Sequence, residues 1–194
     1  MAVDPFVAHA DWENNACTSS YGWLDFDRMA EYYLRSATAL VECMERDHAV
    51  LDVHIYATCF LYRQALELSL KSLAWKADYI RDGRRTVKDK HHDLCELWGK
   101  VKTETRRLLA SDFPLNTGEV AEVDEFLIKF QKHDPSSFAF RYPYEKRGKW
   151  TLADLHNVNI RALREACHAV YELLCRLERL LEFLSREAAE AKRA

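Results

Sequence analysis

The sequence predicts a single all-α domain, an up-and-down bundle of about five helices with an insertion before the last one. Only 5 Gly and 4 Pro occur in 194 residues, so turns are few and long helices are favoured over many short strands. Apolar residues also recur at steps of three and four over long stretches, the period of an amphipathic helix. Hydrophobic residues make up 48% and charged residues 30% of the chain, a balance typical of globular domains that bury a core without metal or disulfide.

Residues 1–24 are expected to form a loosely structured leader ahead of one domain over 25–190. The leader lacks a basic stretch followed by an apolar core, so it does not resemble a signal peptide. No apolar run approaches the ~20 residues of a membrane helix. We therefore expect a cytoplasmic protein with no membrane partner. The 6 cysteines include no C-x-x-C pair, so a zinc knuckle is not predicted, and we expect no cofactor.

The first helix is predicted to begin at Asp25 or Asp27, since either carboxylate can cap a helix, and to end near Asp47. The second helix, over about 50–80, carries two adjoining apolar stripes and is predicted to be the central helix of the bundle. Three further helices are predicted over about 93–109, 119–132 and 155–190.

The last helix carries an unbroken three-four repeat of mostly leucine residues from Leu163 to Leu184. Such a seam suits a bundle helix or a helix that pairs with a second chain. Residues 134–153, ahead of this helix, alternate aromatic and polar side chains around the turn signal Lys146-Arg147-Gly148. They are predicted to form an irregular loop or a short β-hairpin.

A charged row lies on one face of the second helix. Arg63, Glu67 and Lys71 are spaced four apart, so they can form ion pairs along that face. His92 and Asp93 follow a basic loop and begin the third helix, where the aspartate can act as a cap. The simplest interpretation is structural, as a solvated or semi-buried ion pair and a helix start.

These residues resemble the core motifs of HEPN domains. That family typically shows an A-x-E-x-x-L-K-like pattern on its second helix and an H-D-L motif at the start of the next. The matching residues are Ala65, Glu67, Leu70 and Lys71 for the first motif and His92, Asp93 and Leu94 for the second. The resemblance covers roughly 25–110 and 155–185. It implies an all-α bundle that commonly forms a homodimer and, in many members, cuts RNA without a metal.

The resemblance places the catalytic candidates near the start of the last helix. HEPN ribonucleases carry an arginine there, followed by a histidine after a short spacing. The histidine can move a proton while the arginine stabilises charge on the phosphate. Here Arg161 and Arg164 precede His168, with 6 and 3 residues between. With Tyr171 they share one helical stripe and are expected to face one surface. Ala162 departs from the small polar residue that follows the arginine in many active members.

The insertion holds the best local nucleic-acid feature. Because the net charge is -3, any such surface must be local. Cations neutralise phosphates and aromatic rings stack on unpaired bases. The candidate binding residues are Arg141, Tyr142, Lys146, Arg147, Lys149 and, on the last helix, Tyr171. Alternatively, the aromatic residues pack the loop onto the bundle while the cations face water, or the insertion shapes a pocket for RNA or a nucleotide beside the last helix.

A metal site is a further alternative. Glu45-x-x-His48 and Glu165-x-x-His168 have the i, i+3 spacing of di-iron bundle ligands, and Glu67 could add a carboxylate. Glu45 and His48 lie where a helix ends, however, whereas di-iron sites lie mid-bundle. No phosphate-binding glycine loop or nucleophile-elbow motif is present.

The predicted function is therefore an RNA-directed effector of the prokaryotic toxin or phage-defence type. It would be a homodimeric, metal-independent endoribonuclease, with an antitoxin as a further protein partner. The alternative is a catalytically silent HEPN module that binds a nucleotide, nucleic acid or protein. The ribonuclease needs Arg161 and His168 side by side and exposed at a cleft, whereas the silent module tolerates them buried or paired internally.

Overall fold

The computed structural model describes residues 25–83 and 92–191, together with the isolated positions 10, 13 and 16. The rest of the predicted leader and the basic residues over 84–91 lie outside the described residues. Five helices make up the described chain: α1 (Phe26–Arg46), α2 (Leu51–Asp82), α3 (Leu94–Leu109), α4 (Thr117–His133) and α5 (Ile160–Ala191). Within these residues the only β pairing is one isolated bridge, so the predicted all-α fold is confirmed.

Side-chain caps explain where most helices begin. Of the two candidates for α1, Asp25 is the cap, because its carboxylate accepts the amide of Arg28. Asp93 caps α3 as predicted, and Asn116 forms a capping box at the start of α4. Gly83 caps the C-terminus of α2, and its φ of 66° lies in the left-handed region that glycine adopts without strain.

The predicted start of the last helix at 155 is wrong, because α5 begins at Ile160. The side chain of Asn159 accepts the amides of Arg161 and Ala162 at 3.1 and 3.0 Å. Asn159 is therefore the cap, and residues 155–159 belong to the insertion. The insertion accordingly spans 134–159 and is longer than the predicted 134–153.

α2 is the central helix, as its two apolar stripes predicted. It packs against α1, α3 and α5, while α4 closes the bundle against α3 and α5. The leucine seam of α5 is used inside the chain, since Leu173 and Leu177 are buried and Leu163, Leu180 and Leu184 pack against the core. The predicted homodimer therefore needs a surface other than this seam. Across the described ranges, none of the helices is long and apolar enough to cross a membrane.

Candidate functional site

The charged row of α2 is buried inside the bundle. Arg63 Nη1 lies 2.7 Å from Glu67 Oε2, and Lys71 Nζ lies 2.9 Å from Glu67 Oε1. The predicted ion pairs are therefore formed, but the expected solvated or semi-buried setting is wrong. Arg63, Glu67 and Lys71 are 0%, 1% and 6% exposed, respectively, because α1, α3 and α5 pack around α2.

This buried network joins three parts of the fold. Arg63 Nε donates to the carbonyl of Asp134 at 3.1 Å, where the insertion begins, and Arg63 also donates to the carbonyl of His92. His92 Nδ1 lies 2.9 Å from Glu67 Oε1. The Asp134 carboxylate accepts the amides of Phe138 and Ala139 at 2.6 and 2.9 Å. The motif residues thus tie α2 to the start of α3 and to the insertion, which is a structural role.

The carboxyl of Glu67 is the centre of this network. Burial raises its pKa, but the neighbouring Lys71, Arg63 and His92 outweigh burial and hold the pKa below its usual value. Sequence reasoning missed Asp134 as a member. Its one signal was the Asp134-Pro135 pair directly after a predicted helix.

Both catalytic arginine candidates are paired with a carboxylate from α1. Arg161 Nε lies 2.7 Å from Glu45 Oε1, and Arg164 Nη1 lies 2.7 Å from Glu45 Oε2. The hydrogen bonds from Arg164 and Arg161 lower the pKa of Glu45, which keeps it ionised. Glu45 was weighed as a metal ligand in the sequence, but here it is the counter-ion of two guanidinium groups.

His168 is held by a hydroxyl on α1. Its Nε2 lies 2.8 Å from Thr38 Oγ1, which donates its single proton to the carbonyl of Leu34 at 2.9 Å. Thr38 Oγ1 must therefore accept from His168 Nε2–H and from the hydroxyl of Tyr62, 3.3 Å away. His168 Nδ1 has no hydrogen-bond partner in the described chain. The half-buried imidazole also lines an open cleft of about 270 Å³ between α1 and α5.

The four residues of the predicted stripe do not form one free surface. Arg161 and Arg164 neutralise Glu45, and His168 is bonded to Thr38. Tyr171 is half-buried one turn further along, where burial raises the pKa of its phenol. The arrangement offers a proton carrier beside a cleft, while the two phosphate-binding candidates are paired internally. Among the residues described, no group of three His, Cys, Asp or Glu side chains is placed to hold a metal ion.

The insertion was predicted to be an irregular loop or a short β-hairpin, and it contains one hairpin-like turn closed by a single bridge. Tyr144 and Trp150 form an antiparallel bridge, and their rings lie 4.6 Å apart. The tip is a tight turn in which the Glu145 amide donates to the Lys149 carbonyl at 2.8 Å. Gly148, with φ of 76°, supplies the left-handed backbone that this turn requires. We call residues 142–151 the binding hairpin.

The aromatic residues of the insertion divide into two groups. Phe140 is 9% exposed and packs edge-on against Phe130 of α4 at 6.1 Å, so it anchors the insertion to the bundle. Tyr142, Tyr144 and Trp150 remain 49%, 47% and 62% exposed. The packing alternative therefore holds for Phe140, whereas nucleic-acid binding by the exposed rings stays a prediction.

The cations of the insertion also divide into two groups. Lys146, Arg147 and Lys149 are exposed at the tip and form no ion pair with any described residue. Glu145 is the one carboxylate in the turn. Arg141 is fixed instead, because its Nε donates to the Ser137 carbonyl at 2.7 Å and its guanidinium lies 5.4 Å from the centre of the Phe60 ring. Three of the four predicted cations are thus free to meet a ligand.

Two open cavities lie between the insertion and α2. The first, of about 590 Å³, is walled by Tyr56 of α2 and by Tyr142 and Trp150 of the hairpin. The second, of about 500 Å³, shares Tyr56 with the first, and its polar lining residues are Asp52, His156 and Asn157. We call these cavities, the hairpin rings and the tip cations together the candidate interface.

Comparison with known proteins does not assign the chain to a family. It matches no family model, no curated protein sequence and no solved structure. The HEPN resemblance therefore stays a prediction carried by the two short motifs, of which Glu67, Lys71 and His92 take part in the buried network.

Proposed function

We propose that this chain is a catalytically silent, HEPN-like domain that binds single-stranded RNA through its insertion. One observation carries the proposal: the binding hairpin concentrates exposed aromatic rings together with cations that form no ion pair with any described residue. The described chain has 8 exposed large hydrophobic residues, and four of them are Tyr56, Tyr142, Tyr144 and Trp150. All four lie at the candidate interface, and a cluster of exposed apolar rings marks a surface that meets a ligand.

Single-stranded RNA fits this surface better than a duplex. Bases in a duplex are already stacked on one another, so their faces are not accessible to protein rings. An unpaired base offers its face to a tyrosine or tryptophan, and neighbouring cations neutralise the phosphates on either side. Although the whole chain has a net charge of -3, the three tip cations outnumber the single carboxylate of the turn.

A titration by fluorescence anisotropy tests the proposal. Wild-type protein is added to a labelled 12-nucleotide RNA and, separately, to a blunt duplex of the same sequence at about 0.1 M salt. We expect the single strand to bind on the order of tenfold more tightly, since stacking on even one base contributes about 1–3 kcal/mol. Equal affinity for the duplex, or no binding of either RNA, would contradict the proposal.

The second candidate is the metal-independent endoribonuclease of the toxin or defence type. The observation in its favour is His168, whose Nε2 is fixed by Thr38 while Nδ1 stays without a partner beside the cleft. A general base needs such a fixed imidazole with one free nitrogen. Against this candidate, the charges of Arg161 and Arg164 are neutralised by Glu45.

We expect no cleavage when wild-type protein is incubated with total and transfer RNA in EDTA. The same incubation includes His168→Ala and, as a control, His48→Ala, which changes an exposed histidine at the end of α1. Cleavage that survives EDTA, persists in the control and is lost in His168→Ala would replace the silent module with the ribonuclease.

A further inference from the structure

The two cavities beneath the binding hairpin form one groove with an aromatic half and a polar half. They share Tyr56, Phe140 and Leu152 as lining residues. Volumes of about 590 and 500 Å³ lie within the range typical of small-molecule sites, roughly 300–1,000 Å³. We call the joined cavities the base groove.

The walls of the base groove are held in place by the fold. Phe140 is buried against α4, and Tyr56 lies on the first turns of the central helix. The hydroxyl of Thr151 donates to the carbonyl of Tyr142 at 2.7 Å, which joins the two arms of the hairpin. A groove with preformed walls loses little conformational entropy when it binds a planar ring.

The polar half of the groove contains a carboxylate without a described partner. Asp52 is exposed in the first turn of α2, and no ion pair or hydrogen bond links its side chain to a described residue. Asn157 lines the same half. A carboxylate repels phosphate, so its favourable contacts with a nucleotide are the ribose 2′-hydroxyl and the donors on the base. Only a base with two adjacent donors can occupy both carboxylate oxygens, which favours a base beside Asp52.

Base chemistry then decides which nucleotide suits this carboxylate. On its Watson–Crick edge guanine presents two adjacent donors, N1–H and the N2 amino group, which a carboxylate can accept in a bidentate pair. Adenine, cytosine and uracil each place an acceptor next to their donor, and that acceptor would oppose the second carboxylate oxygen. An unpaired base can be recognised on this edge because it is not hydrogen-bonded to another strand.

We propose that the base groove binds one unpaired guanine, stacked against Tyr56 and Trp150 and read by Asp52. This proposal rests on the proposed function, because the guanine is a base of the RNA strand whose phosphates meet the tip cations. The preference for guanine is a separate property from RNA binding, so the guanine assignment can fail while RNA binding by the insertion stands.

The test compares a labelled run of twelve adenosines with the same strand carrying one central guanosine. Wild type is expected to bind the guanosine strand about tenfold more tightly, the scale of a good bidentate base contact. Asp52→Asn is expected to lose this preference, because an amide offers one acceptor oxygen and one donor nitrogen and cannot accept from both guanine donors. The control Asp112→Asn changes an exposed aspartate in the short 3-10 turn that follows α3 and should keep the preference.

The other possible outcomes separate the guanine assignment from the proposed RNA binding. Equal binding of both strands by wild type, or a preference that survives in Asp52→Asn, would overturn the guanine assignment and leave RNA binding intact. Failure of both strands to bind would overturn the proposed function as well. Free guanosine monophosphate should displace the adenosine strand better than adenosine monophosphate does. Equal displacement by the two nucleotides would overturn the guanine assignment. Complete displacement by micromolar guanosine monophosphate would mean that the ligand of the base groove is the free nucleotide and not a base of an RNA strand.

Discussion

Replacing Glu67 with glutamine is expected to lower the free energy of unfolding by about 3–5 kcal/mol, the cost of leaving buried charges without their partner. Glutamine keeps the volume of the side chain but removes the negative charge between Arg63 and Lys71. Both cations are almost fully buried, so water cannot take the place of the lost carboxylate. For a domain of this size the melting temperature should fall by roughly 6–20 °C.

Thermal and urea unfolding followed by circular dichroism measure this effect. Glu125→Gln is the matched control, because Glu125 also pairs with a lysine four residues later at 2.6 Å, but its side chain is 70% exposed. Its unfolding curve should be indistinguishable from that of wild type. If Glu67→Gln lowers the free energy of unfolding by less than about 1 kcal/mol, the buried network does not hold the fold together.

The same network makes the fold sensitive to acid. The folded pKa of Glu67 lies below its ordinary value, so the stability that this group contributes is present above about pH 4.3, the unfolded pKa. That stability is lost as the pH falls through the lower folded pKa. Glu67→Gln should therefore lose less stability than wild type does over the same acid range.

Replacing Trp150 with alanine is expected to weaken binding of single-stranded RNA by roughly 5–150-fold, the equivalent of about 1–3 kcal/mol for one stacked base. Trp150 is 62% exposed and forms both a wall of the base groove and the partner of the Tyr144 ring. Because little of its surface is buried in the core, the variant should fold and unfold much as wild type does.

Phe183→Ala provides the control for this result. Phe183 is an exposed aromatic residue of α5, 59% exposed, and lies outside the candidate interface. Its removal should leave RNA affinity unchanged, whereas Trp150→Phe should retain most of the affinity because a ring remains. If Trp150→Ala binds RNA as tightly as wild type does, the hairpin is not a stacking surface.

The helices could be predicted from the sequence because their signals are local. Apolar periodicity and the short side chains of Asp25 and Asp93 marked helix faces and helix starts within a few residues. The start of α5 was placed too early, at about 155 and not at Ile160. The cap at Asn159 ends the insertion only because its side chain accepts the first amides of the helix.

The site could be predicted only where it depends on spacing along one element. A spacing of four predicted that Arg63, Glu67 and Lys71 lie on one face of α2. Spacing fixes only the angle of each side chain around the helix axis, so it does not show which elements pack against that face. The pairing of Glu45 with Arg161 joins residues 116 positions apart. One sequence carries no signal for such a contact, so the arginines were expected to be free.

The insertion shows the same limit on a smaller scale. The alternation of aromatic and basic residues predicted a surface of rings and cations, and the hairpin exposes both. The pattern could not show that Phe140 anchors the segment while Trp150 stays exposed, because this depends on where Phe130 of α4 lies.

The most direct test of RNA binding by the hairpin is the salt dependence of affinity for a single strand. Wild type is compared with a variant in which Lys146, Arg147 and Lys149 are all changed to serine. Each phosphate contact on a single strand contributes about 0.7 to the slope of log affinity against log salt, so the three together contribute about 2. We predict that the variant binds more weakly and that its slope is smaller by about 2. An unchanged slope would mean that the RNA meets another surface of the protein and would contradict the central claim.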